Sequence, residues 1–116
     1  MKSLKELQPL ILEWAKEKSL INPKNGYTQS EKTQEELDEL KFNLKLQSLG
    51  VDNYTDKKGI LVFTNDQIKD DIGDILVTLA IQCEIQKTSF EECLNISWNE
   101  IKDRKGKTLN GTFIKE

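Results

Sequence analysis

Residues 70–81 read DDIGDILVTLAI, three carboxylates at the mouth of a nearly unbroken apolar run. No other stretch constrains the fold as much. At about 100° per residue, Asp71 and Asp74 lie about 60° apart on adjacent ridges of a helix. Asp74 then shares a face with Val77, Ile81 and Ile85. A helix apolar on almost every side belongs inside a protein. Its carboxylates must go inside with it, and a buried carboxylate needs a cation, strong hydrogen bonds or a raised pKa. Gly73 between them costs helix stability and suits close approach of another helix.

The remaining segments predict an all-α, four-helix, bundle-like architecture in a single domain spanning 1–116. Leu4, Leu7, Ile11, Trp14 and Ala15 recur at helical spacing over 3–18, and Ser3 with Glu6 fits a capping box. Pro9 should kink that helix or delay its start. A loop at 19–27 contains Asn-Pro and Asn-Gly. A second helix is expected over about 29–47, capped by Thr28 and Glu31, with Leu37, Leu40 and Leu44 as its buried stripe. Residues 49–59 read as a loop and ILVFT, 60–64, as a short extended segment. A third helix runs from Asn65 or Asp66 to about Gln86. A fourth starts at Ser89 and Glu92, with Phe90, Cys93, Leu94, Ser97 and Ile101 on its inner face, and stops near Gly106. The tail, 108–114, has an Asn-Gly turn between β-prone pieces. Helices of this length bury little alone, so pairing with further copies, as homodimer or homotetramer, is expected.

Chemistry is bounded by what is missing. There is no histidine, which removes Ser-His-Asp and Cys-His catalysis and most zinc sites. Cys83 and Cys93 lack metal spacing and sit among apolar neighbours, as core thiols do. The net charge of −3 offers no basic field for a nucleic-acid polymer. No apolar stretch reaches the roughly 20 residues of a membrane span. The N-terminal apolar run, broken by charges and Pro9, does not read as a signal peptide. A cytoplasmic protein is expected.

A second acidic set matches the first. QEELDEL places Glu35, Glu36, Asp38 and Glu39 within five positions. Glu36 falls at the edge of the leucine stripe and Glu39 farther out on the same flank. Such a run is by itself usually a solvated face, and DDIGD alone suits an acidic first turn. Two pairs at i,i+3 spacing, brought together by antiparallel packing, would instead form a four-carboxylate cage suited to Mg²⁺ or Mn²⁺.

KTQEELDEL followed by DDIGDILVTL resembles the MazG-like, all-α nucleoside triphosphate pyrophosphohydrolases. Their hallmark is an E-x-x-E pair on one helix and an E-x-x-D pair on another. SWNEIKDRKGKTLNGTFIKE looks like the C-terminal portion of small MazG-like proteins of phages and bacteria, so the resemblance spans most of 10–116. It implies Glu36, Glu39, Asp71 and Asp74 as metal ligands. It also implies hydrolysis of an NTP or dNTP to the monophosphate and pyrophosphate. Asp71 stands where the family has glutamate, and the segment between Glu39 and Asp71 is longer than usual.

In that chemistry Glu35 or Glu36 would orient or deprotonate the attacking water. Lys32, Asn99, Lys102, Arg104 and Lys105 are candidates to hold phosphate, against their bland role as surface charges. Trp14 and Trp98 could stack on a base, with core packing the alternative for Trp14. The competing function is a catalytically weak or inactive helical module, acting as a nucleotide sensor or protein-interaction domain. A helix-turn-helix DNA binder fits poorly, since no helix is both basic and exposed along its length.

Overall fold

The computed structural model describes residues 1–116. Its elements follow in the order α1 (Leu4–Glu17), α2 (Gly26–Ser48), β1 (Asn53–Thr55), β2 (Leu61–Phe63), α3 (Thr64–Ile85), α4 (Phe90–Ile101), β3 (Gly106–Leu109) and β4 (Thr112–Lys115). The chain is mostly helical, with two small antiparallel hairpins. No helix is long and apolar enough to cross a membrane.

Two of the helix starts follow local capping chemistry. The Ser3 hydroxyl accepts from the Glu6 amide, and the Glu6 carboxylate accepts from the Ser3 amide, both at 3.2 Å. The Ser89 hydroxyl accepts from the Glu92 amide at 3.1 Å. α1 begins at Leu4 and runs through Pro9, so the proline does not delay the start.

The start of α2 differs from the expectation. It begins at Gly26, and Thr28 lies within its first turn rather than capping it. Packing overrides the cap here. The Gln82 amide of α3 donates to the Gly26 carbonyl at 2.9 Å, and a Cβ at Gly26 would sit 2.9 Å from Gln86 Nε2. α3 likewise starts at Thr64, before Asn65 and Asp66. The Thr64 amide donates to the Asp52 carbonyl at 3.0 Å and its hydroxyl donates to the Val51 carbonyl at 2.7 Å.

Part of the expected loop at 49–59 is strand β1, paired with β2 in the register Tyr54 to Val62. Asp56 organises the connecting turn, accepting from the amides of Lys58 and Ile60. β3 and β4 join through Asn110 and Gly111, at φ 50° and 79°, the conformation that an Asn-Gly hairpin turn requires.

Helices α2 and α3 pack antiparallel along a polar seam. The Gln29 amide donates to the Thr78 carbonyl at 3.1 Å. The Thr33 hydroxyl donates to the Thr78 hydroxyl at 2.9 Å, and Gln47 donates to Asn65 at 3.0 Å toward the other end. The buried residues of α2 are Gln29, Glu36 and Asn43, at intervals of seven. This corrects the expected leucine stripe. Leu37 and Leu44 are 39% and 41% exposed, and Leu40 is half-buried. Gln29 and Asn43 turn inward onto partners on α3, the Thr78 carbonyl and Asp71, whereas the Glu36 carboxylate finds no hydrogen-bond partner there.

The apolar core is small. Ala15, Ile81 and Ile85 form it, with Leu20, Ile21 and Val77 against them. Other expected burials are absent within one chain. Trp14 is 49% exposed. α4 buries no residue; Phe90 is half-buried, and Cys93, Leu94, Ser97 and Ile101 are exposed. Cys83 is half-buried and Cys93 exposed, in place of two core thiols. Burial, and then the neighbouring Cys93 thiol, raises the pKa of the Cys83 thiol. The radius of gyration is 17.2 Å, against about 13 Å for a compact chain of 100 residues.

Candidate functional site

The acidic segments meet where α2 crosses the first turns of α3. Oxygens of Glu36, Glu39 and Asp74 all lie within 4.8 Å of one another. Asp70, Asp71 and Asp74 form a second group of the same tightness, so Asp74 is common to both. Glu36 is 8% exposed. Its Oε1 pairs with Lys32 Nζ at 3.2 Å, while its Oε2 is buried with no hydrogen-bond partner. Lys32 also reaches Glu35 at 3.4 Å. These contacts, the Glu36 hydrogen bond first, raise the pKa of the Lys32 ammonium above its usual value.

Asp71 is held differently. It is fully buried, and both of its oxygens accept from amides, Oδ2 from Asn43 at 2.8 Å and Oδ1 from Gln67 at 2.9 Å. The Tyr54 hydroxyl donates to Asn43 Oδ1 at 2.8 Å, and Asn43 also donates to the Glu39 carbonyl at 3.2 Å. The first hairpin is thereby tied to the acidic cluster through one asparagine. Phe42 and Tyr54 stack at 6.1 Å with an interplanar angle of 16°. Beside them opens a cleft of about 510 Å³, bordered by Glu35, Asp38, Glu39 and Asp71.

Desolvation and mutual repulsion act on this cluster together. The Glu39 carboxyl is raised above its ordinary pKa by burial first, then by Glu36 and Asp71. Asp74 is raised by burial, then by Asp70, Glu36 and Asp71, with Lys32 opposing. Both are acids whose folded pKa exceeds the unfolded value, so the folded state binds more protons between the two values. Their contribution therefore falls as pH rises through that window. Metal-free protein should lose stability from these two groups as pH rises above the ordinary carboxylate values, about 3.9 for Asp and about 4.3 for Glu, and through their raised folded values. Thermal melts across that range should show a shallower decline in a Glu39→Gln/Asp74→Asn double variant. An equal slope in the variant contradicts the assignment.

The residues expected at the site divide into two sets. Glu35, Glu36, Glu39, Asp71, Asp74 and Lys32 are brought together. Asn99, Lys102, Arg104 and Lys105 are exposed on α4 and the segment after it. None of those four enters an ion pair; the three pairs present are Lys16 with Glu84, and Lys32 with Glu35 and Glu36. Arg104 and Lys105 border a separate cleft of about 500 Å³ along the second hairpin, with Lys107 and Lys115. Trp14 lines a shallow apolar depression with Leu10, Ile11 and Val77.

Asn43, Gln67 and Tyr54 were not expected from the sequence. The signal for two of them lies in spacing, since Asn43 follows Glu36 by seven positions and Gln67 precedes Asp71 by four. No protein-family model, curated protein or solved structure matches the chain.

Proposed function

We propose that the chain is a divalent-cation-dependent nucleoside triphosphate pyrophosphohydrolase of the MazG-like type. It converts an NTP or dNTP and water to the monophosphate and pyrophosphate, and it works as a homodimer or homotetramer completing a helical bundle. The observation that supports it best is the orphaned Oε2 of Glu36. A buried carboxylate oxygen without a donor, on a side chain clustered with two further carboxylates, is unfavourable until a cation or a proton meets it.

The donor set fits a hard ion, Mg²⁺ or Mn²⁺, held by Glu36, Glu39 and Asp74 with Asp71 beside them. When bound, the ion supplies neutralisation of phosphate charge and a lowered pKa for water. The protein's own groups do the rest. Glu35 is exposed beside the cluster and can accept a proton from water, while Lys32 offers an ammonium at the mouth of the site. Asn43 and Gln67 fix Asp71 and so fix the start of the acidic ridge.

One observation favours a second reading. Both oxygens of Asp71 are already engaged, which suits a nucleotide-binding helical module with weak or no turnover. Incubation with each common NTP and dNTP separates the two. Pyrophosphate release that requires Mg²⁺ and stops with chelator is expected. Binding by calorimetry without turnover in any nucleotide would select the module, and neither binding nor turnover would remove both.

A further inference from the structure

We infer that the C-terminal arm, α4 with the β3–β4 hairpin, docks on a second copy of the chain and brings its cations to that copy's acidic cleft. This rests on the reading of Glu36, Glu39 and Asp74 as the polyphosphate site.

Charge separation is the first argument. The positive field lies at the hairpin end of the arm: residues 102–116 carry five cations against two carboxylates, a net of +3, while α4 itself bears Glu91, Glu92 and Glu100, and residues 1–101 together carry −6 of a chain whose total is −3. Opposite fields on two parts of one chain attract between copies, and steer their encounter at low salt. Within one chain the fields do not meet. Every residue from Glu91 to Glu116 is exposed, and no cation of the arm has an ion-pair partner.

Apolar surface is the second argument. Leu94, Trp98 and Ile101 recur at helical spacing along α4 and are 66%, 57% and 48% exposed. On α3, next to the acidic ridge, Ile72, Leu76 and Leu79 form a similar stripe that nothing in the chain covers. A stripe of this kind on an amphipathic helix requires a partner surface. A second copy offers both halves, an apolar stripe and an acidic cleft next to it. A two-fold arrangement would let each arm serve the other protomer's cleft.

The site is therefore incomplete in a single chain. The acidic cleft lacks the guanidinium and ammonium groups that recognise a triphosphate, apart from Lys32, and the arm holds them unpaired.

Cross-linking tests the inference without turnover. Equal amounts of unlabelled and ¹⁵N-labelled full chain are unfolded together in urea, refolded, and treated with a carbodiimide. Mass spectrometry is then used to look for amide links from Lys105 or Lys107 to Glu35, Asp38 or Glu39. Links joining labelled to unlabelled peptides are expected. Links only within one isotope, or no such links, overturn the inference. Complementation gives a second readout. Asp74→Asn and Arg104→Ala/Lys105→Ala are each expected to be inactive, and refolding them together should restore about one quarter of wild-type turnover for randomly paired dimers. A mixture as inactive as its components overturns donation between copies. Inactivity of the unmutated protein instead counts against the proposed function, and the cross-links still decide the docking.

Discussion

Glu36→Gln is expected to lower Mg²⁺-dependent pyrophosphate release by about 10³-fold, the scale of losing one electrostatic contact to developing charge in a dry site. Asp74→Asn should do the same, because Asp74 belongs to both carboxylate groups. The stability of the metal-free protein should move the other way for Glu36→Gln. Glutamine replaces the partnerless Oε2 with either an amide donor or a neutral oxygen, in a side chain clustered with Glu39 and Asp74. A hydrogen bond to a charged group contributes about 1.5–3 kcal/mol. The half-exposed Lys32 pair that is lost contributes less than about 1 kcal/mol. A net gain of about 1 kcal/mol follows, read from urea midpoints in chelator. Added Mg²⁺ should raise the thermal midpoint of the wild type and leave the variant unmoved. A variant that loses activity and also loses stability in chelator would mean that Glu36 is a structural residue, and the metal assignment would fall.

Asn43→Ala should cost about 3 kcal/mol, because it leaves a fully buried carboxylate one donor short. It removes at once the donor to Asp71 Oδ2 and the acceptor for the Tyr54 hydroxyl. The first hairpin loses its hydrogen bond to α2 in the same step and keeps only the Phe42–Tyr54 stack. Tyr54→Phe isolates that half of the network and should cost about 1 kcal/mol. A double-mutant cycle with Asp71→Asn tests the coupling, since the neutral side chain no longer demands both donors. Additive losses in the cycle would show that Asn43 acts through packing alone.

The sequence made legible what local chemistry decides. Ser3 with Glu6 and Ser89 with Glu92 announce helix starts, and Asn110-Gly111 announces a hairpin. The convergence of EELDEL and DDIGD was legible because charge placed on an apolar helix has few destinations. Glu36 is more buried than Glu39, in the expected order, but it sits at the centre of the buried face of α2 rather than at the edge of a leucine stripe. The orientation of α2 was not legible. Periodicity assigns leucines to the inside, but Leu37 and Leu44 lie outside while polar residues take the buried face. Gln29 and Asn43 turn inward because specific partners on α3 await them, a backbone carbonyl 49 positions away and a carboxylate 28 positions away, and such pairings leave no periodic trace. Tyr54 sits in a segment whose turn formers hide a three-residue strand.

The polar seam between α2 and α3 has a consequence for ion choice. A greasy contact lets helices slide or spread at modest cost, whereas directional bonds from Gln29, Thr33, Asn43 and Gln47 hold this pair in one register. The carboxylates are therefore carried on a fixed ruler, adjustable only by their own torsions. Mg²⁺ takes oxygens at about 2.0–2.1 Å and Ca²⁺ at about 2.3–2.6 Å with more of them. Any difference in ion size must then be met by side-chain torsions and not by a change in the spacing of the two helices.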